Sequence, residues 1–189
     1  DLDAVKRAKE LNPEIVTIAK GAAFLTLGEK ILIEHDFLDF GILGEAEETL
    51  KEILDGRDKK DILGIYYTEN EDVRFTGKRP FIEDLDSLPF PARHLVDNSI
   101  YRRPDNNKVQ ATIKVERGCP FHCFFCLATP VSGAKVRRRS AENIVAEIRE
   151  CVEKYNIRDF IFWSDIFNLD NRWVQRLCRL IIESGLKIS

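Results

Sequence analysis

Cys119-Pro120-Phe121-His122-Cys123-Phe124-Phe125-Cys126 places three thiols within eight residues, separated by three residues and then by two. Thiolates are soft ligands that select zinc, copper(I) or iron–sulfur clusters over hard cations, so the run reads first as a metal or cluster site. Three ligands leave a fourth coordination position open. A structural zinc ordinarily takes four protein ligands in paired Cys-x2-Cys halves, and the further donor in this run, His122, is squeezed against Cys123. Zinc and an iron–sulfur cluster therefore both stand as readings of the loop.

The surroundings of the loop set its place in a fold. A strand signal over 111–116 leads into it, and Ser140 introduces a helix over 141–155 as its N-cap, with Asn143 at the following turn. A strand over 159–163, a helix over 172–184 closed by Gly185, and a strand starting near Lys187 continue the alternation. These are two βα units and the start of a third, and a loop between strand and helix is where βα-barrel enzymes put their chemistry.

Upstream, Leu2, Val5, Ala8 and Leu11 recur at helical spacing until Asn12-Pro13 breaks the pattern. The apolar run at 15–19 predicts a buried strand, 25–35 a helix, 37–43 a second strand, and Gly44-Glu45-Ala46-Glu47-Glu48 opens a third helix whose acids suit the positive end of its dipole. Segments 62–68 and 73–76 flank a polar turn and predict a hairpin. Pro80, Pro89, Pro91 and Pro104 then mark a linker draped over a surface. The fold class is α/β, divided into 1–56, a connecting segment with a hairpin over 57–108, and 109–189.

With 189 residues, 44% of them hydrophobic, the chain can bury a core. Its net charge is −3, yet residues 101–139 carry nine Lys or Arg against two acids, Asp105 and Glu116. That basic neighbourhood suits an anionic cluster, a carboxylate or phosphate ligand, nucleic acid, or a solvated face. It lacks the interleaved aromatic and basic platform of single-strand nucleic-acid binders. Five cysteines, with Cys151 and Cys178 far apart on helical patterns, do not make an extracellular disulfide framework, which points to a reducing cytoplasm. No apolar run approaches the ~20 residues that cross a bilayer, and no signal peptide is present. A first residue other than Met, no Met anywhere and an end inside a strand signal mark the chain as a piece of a longer protein.

The cysteine spacing, the entry Arg117-Gly118-Cys119-Pro120, the aromatic Phe125 before the third cysteine and the phrase from Arg137 to Val145 together resemble the radical S-adenosylmethionine (radical SAM) superfamily. The resemblance implies that Cys119, Cys123 and Cys126 hold three irons of a [4Fe-4S] cluster while SAM chelates the fourth. It also implies reductive cleavage of SAM to a radical that abstracts hydrogen from substrate, with a flavodoxin or ferredoxin as electron donor. Phe125, Ser164 and Asp165 are the implied cofactor contacts, Asp165 for the SAM ammonium. Trp163-Ser164-Asp165 stands where the family has a Gly-Gly-Glu-like stretch or, in cobalamin-associated members, two acids. No catalytic residue is assigned.

The stretch from Asp39 to Leu50 and the phrase Leu85-Asp86-Ser87-Leu88-Pro89-Phe90-Pro91-Ala92 resemble the end of the cobalamin-binding domain and the linker of one branch of that superfamily. The resemblance implies the C-terminal part of a Rossmann-like cobalamin-binding domain, a linker and the first βα units of a partial TIM-like barrel, and brings in cobalamin as a further cofactor. Methyl transfer, or cyclisation on a tetrapyrrole, with small-molecule, lipid or tetrapyrrole substrates, follows from the same branch. Lys20-Gly21-Ala22-Ala23 departs from that branch's glycine pair. The alternatives are a non-enzymatic zinc or iron–sulfur module, and a piece that is inactive alone.

Overall fold

Helix α1 (Leu2–Leu11) follows the expected spacing and stops at the Asn12-Pro13 break. Beyond it, β1 (Ile18–Lys20), α2 (Phe24–Glu34) and β2 (Phe40–Ile42) form a βαβ unit whose strands pair in parallel, Ile18 opposite Phe40. Both strands are shorter than the apolar runs predict. The reason is a polar clasp at their entrances: the Asp39 carboxylate accepts from the Thr17 N–H at 2.7 Å and the Thr17 hydroxyl at 2.8 Å, and Lys9 Nζ lies 2.8 Å away. Side-chain bonds there share the entrance with backbone bonds from the Asp39 and Phe40 N–H groups to the Thr17 carbonyl, and Val16 before it is exposed. Burial pushes the Asp39 carboxyl up, but the bonds from Lys9 and Thr17 outweigh it and hold the group below the usual carboxylate range.

After α3 (Glu47–Leu54), strands β3 (Ile65–Glu69) and β4 (Asp72–Phe75) form the expected hairpin. Asn70 and Glu71 both take positive φ, 52° and 68°, the backbone of a two-residue turn whose twist matches its strands. The hairpin is not confined to a connecting segment. β3 pairs antiparallel with β2, giving one sheet of order β1-β2-β3-β4. Tyr66 and Phe75, directly opposite, stack with ring centroids 4.5 Å apart. A Cβ on Gly41 would lie 2.2 Å from the Phe24 ring, so glycine there lets α2 lie close on β2.

The computed structural model describes residues 2–189, which divide into two compact units. The first contains the elements above, through Ile82, together with Phe124–Ser132; the second contains Glu83–Cys123 and Gly133–Ser189. Within the second, β5 (Gln110–Lys114) pairs in parallel with a later strand that α5 (Ala141–Tyr155) connects to it. The intervening elements are β6 (Glu116–Arg117), α4 (Ala128–Ser132), which clusters with the first unit, and β7 (Arg137–Arg138). The later strand is β8 (Asp159–Trp163), and α6 (Asn171–Glu183) follows it.

Ser140 caps α5 by accepting the Asn143 N–H at 3.0 Å, and Asn156, at φ 53°, ends it in the left-handed region. Alternate residues Ala111, Ile113 and Val115 meet Ile144 and Ile148 of α5 and Leu177 of α6 in one buried core. Ser189 extends the order: its N–H donates to the Arg158 carbonyl and its carbonyl accepts from the Phe160 N–H. No helix among the described residues is long and apolar enough to cross a membrane.

The proline-punctuated segment departs from the expectation of a draped linker. Three of its stretches, Leu85–Ser87, Arg93–Leu95 and Asn98–Ile100, turn as short 3₁₀ helices, and Ile82, Leu85 and Arg93 are buried. The Asp86 carboxylate accepts the Ser140 N–H at 2.9 Å. Arg93 Nη2 reaches Glu147 Oε1 at 2.6 Å and the Thr112 carbonyl at 3.3 Å, while Arg139 donates to the other Glu147 oxygen, to Asn143 and to the Lys114 carbonyl. Glu147 is 1% exposed. A carboxylate that deep on α5 requires cations, and a segment barred by proline from strand pairing supplies one of them.

Candidate functional site

The cysteine loop rises from a short antiparallel ladder, Glu116 opposite Arg138 and Arg117 opposite Arg137, which brings both ends of the 118–136 excursion together. Gly118 has φ +94°, and a Cβ there would sit 2.2 Å from the Lys135 carbonyl oxygen, so only glycine lets the two limbs cross this closely. Next to it the Cys119 N–H donates to the Gly133 carbonyl at 3.0 Å, which fixes the first cysteine at the base of the loop. Cys119 is buried; Cys123, Phe125 and Cys126 are exposed. Cys126 Sγ accepts the Ala128 N–H at 3.4 Å at the start of α4.

Cys119 and Cys123 cluster with the second unit and Cys126 with the first. Among the described residues no three His, Cys, Asp or Glu side chains are grouped so as to hold a metal ion. The fit to a soft metal or cluster rests on the donor set, three thiols on one glycine-hinged loop, and that set suits three thiolate bonds. Around the thiols the loop exposes large apolar side chains: Phe124 is 99% and Phe125 77% exposed. Cys151 is a different kind of cysteine. Buried in the core of the second unit, its thiol is pushed up to about 11 by burial and stays protonated and inert at neutral pH.

The turn after β8 carries the other two predicted contacts. Asp165 is exposed at its tip, while Ser164 is half-buried and turned inward: its hydroxyl donates to Glu116 and accepts the Ile166 N–H at 3.0 Å. Glu116 Oε1 also accepts the Ile166 N–H directly at 3.1 Å. Glu116 is fully buried, with Arg138 Nε 2.7 Å from its other oxygen. That contact is one of charge, because the N–H is not aimed at the oxygen and counts as no hydrogen bond. The Arg138 guanidinium also lies 5.7 Å from the Trp173 ring.

The three consecutive arginines of the basic stretch are turned to the protein. Arg137 is buried in the ladder, Arg138 faces Glu116, and Arg139 is committed to Glu147. Glu116, one of two acids in the basic stretch 101–139, has a role that composition does not reveal. The available signal was strand alternation, which puts Arg138 on the face opposite Arg137 and Arg139 and across from Glu116.

In the first unit, the carboxyl ends of the parallel strands lead to Gly21 and Gly44, and a Cβ on either would meet nothing within 4 Å. Open backbone at the carboxyl ends of parallel strands is where α/β sheets take ligands, and it is compatible with a bulky ring system.

No protein-family model matches the chain. An uncharacterized methyltransferase of Pyrococcus horikoshii is 31% identical over 188 residues, covering 97% of this chain and 40% of that protein. The anaerobic magnesium-protoporphyrin IX monomethyl ester cyclase of Rubrivivax gelatinosus is 28% identical over 189 residues, 96% of this chain and 34% of its own length. Among solved structures, the radical SAM methyltransferase TsrM of Kitasatospora setae, with cobalamin and a [4Fe-4S] cluster bound, superposes with a TM-score of 0.67 at 20% identity, over 97% of this chain and 36% of that one. The chain thus spans about two-fifths or less of the length of these proteins.

Proposed function

We propose that this chain, which belongs to the cobalamin-binding branch of the radical SAM superfamily, is the part of such an enzyme where its two cofactor-carrying domains join. Residues 1–56 are the C-terminal part of a Rossmann-like cobalamin-binding domain, 57–108 a connecting segment whose hairpin extends the sheet of that domain, and 109–189 the first βα units of a partial TIM-like barrel. The parent enzyme performs methyl transfer or cyclisation on a small molecule, a lipid or a tetrapyrrole. It works in the cytoplasm with a flavodoxin or ferredoxin as electron source.

The observation that carries this reading is the three-thiol loop hinged at Gly118, in a chain whose likeness to a methyltransferase and a cyclase runs over nearly all its length. Cys119, Cys123 and Cys126 hold the [4Fe-4S] cluster, and the fourth iron is left to SAM. Together the cluster, SAM and cobalamin supply one-electron and methyl-carrying chemistry that side chains lack. The protein supplies the ligands and their orientation. Phe125 gives the loop an apolar wall beside the ligand, Asp165 offers a carboxylate to the SAM ammonium, and Ser164 holds that turn from within.

The test is to purify the full-length protein anaerobically with hydroxocobalamin supplied and to measure iron, sulfide and cobalt. About four irons and four sulfides per chain, the content of one such cluster, together with bound cobalt, is the expected result. Stoichiometric zinc without broad visible absorption overturns the cluster. Cluster-loaded protein without cobalt confines the reading to the barrel half.

A further inference from the structure

Glu116 is a fully buried carboxylate set one residue before the Arg117-Gly118-Cys119 entry to the thiol loop. Taking a carboxylate fully out of water is costly unless its charge is compensated, and here one oxygen is hydrogen-bonded while the other is opposed by a cation. One faces the Arg138 guanidinium at 2.7 Å. The other takes the Ser164 hydroxyl and the Ile166 N–H, two groups that flank Asp165. The Ser164 oxygen itself accepts the Ile166 N–H at 3.0 Å, so the turn closes on Glu116 as a three-membered network. Nothing in this network needs the acid for the fold of the sheet: β5 and β8 already pair over five residues, Gln110 opposite Asp159 through Lys114 opposite Trp163. What it adds is a fixed link between the ladder that closes the base of the thiol loop and the turn that ends β8.

We infer that Glu116 is a positioning residue that holds the Ser164–Asp165–Ile166 turn in register with the root of the cysteine loop, so that the exposed Asp165 carboxylate meets the cationic end of a ligand bound at the thiols. The inference rests on the proposed SAM-binding role of that loop. It assigns the indirect part to Glu116, Ser164 and Arg138 and the direct part to Asp165 alone. Ser164, expected as a ligand contact, acts on the protein side of the turn.

The experiment is a titration of the cluster-loaded, full-length protein with SAM, read by the electron paramagnetic resonance spectrum of the reduced cluster, with iron content measured on each sample. Glu116→Gln keeps the shape but loses the charge that Arg138 faces and one acceptor; Ser164→Ala removes the hydroxyl and leaves Glu116 paired with Arg138. Both variants are expected to keep their iron and to weaken the SAM response roughly ten- to hundredfold, the usual cost of losing a supporting partner behind a direct contact. Combined with Asp165→Ala, neither is expected to cost much more than Asp165→Ala alone, because all three act through one contact. A merely structural residue would instead lower iron content or add its cost independently. If Glu116→Gln fails to load iron, Ser164→Ala decides. SAM affinity within twofold of the parent in iron-loaded variants, or full additivity with Asp165→Ala, overturns the inference. A parent protein whose spectrum does not respond to SAM overturns the underlying reading instead.

Discussion

Replacing any one of Cys119, Cys123 or Cys126 by alanine is expected to take bound iron in anaerobically reconstituted protein from about four per chain to near zero. Cys151→Ala and Cys178→Ala are expected to leave it unchanged. A cuboidal cluster with three protein ligands has no spare: losing one leaves two thiolates and two open irons, which competing thiols strip in solution. Cys151 lies in the apolar core with its thiol pushed up to about 11, so it presents no thiolate, and Cys178 stands alone on α6. Iron retained in all three loop variants would remove the loop from the site.

Glu147→Ala is expected to destabilise the second unit by about 3–5 kcal/mol, the range for leaving buried charge without its partner. Arg93 and Arg139 both converge on this one carboxylate, and both are mostly buried, at 9% and 11% side-chain exposure. Removing the acid strands two cations whose remaining contacts include hydrogen bonds to the Thr112 and Lys114 carbonyls and Asn143 and, for Arg139, the Phe90 ring 5.5 Å away. Guanidinium unfolding followed by the fluorescence of Trp163 and Trp173 measures the loss. Replacing all three charges together by apolar residues of similar volume is expected to cost far less, because no charge is then left buried. A loss below about 1 kcal/mol for Glu147→Ala alone would mean that solvent reaches the cluster of charges and screens it.

The parts of the fold that were legible from sequence are those in which local pattern and tertiary packing agree. The limits of α5 and β8 fall where the Ser140 cap and the apolar run put them, because the same residues that cap and alternate also face the core. The hairpin was legible from its polar turn, but its partner was not: that β3 joins β2 depends on pairing between distant segments, which no local spacing encodes. The entrances of β1 and β2 begin at a Thr17–Asp39 clasp of mixed side-chain and backbone bonds, and apolar runs are silent about such contacts.

At the site, the thiols were legible from spacing alone and the supporting charges were not. Arg137-Arg138-Arg139 reads as an exposed basic run, yet Arg137 is buried, Arg138 faces Glu116 across the ladder and Arg139 reaches Glu147 on α5. The prolines likewise marked where a strand could not run without indicating that Asp86 and Arg93 would be anchored on α5 and its cap. Buried ion pairs between distant segments are the class of contact that a single sequence conceals most completely.

The most direct test of the central claim is whether SAM reaches the iron that the three cysteines leave open. In full-length protein with a reduced cluster, saturating SAM is expected to change the electron paramagnetic resonance spectrum, and Asp165→Ala is expected to weaken that response while iron content stays the same. A spectrum that is unchanged at saturating SAM, in protein with four irons and four sulfides in place, would contradict the account.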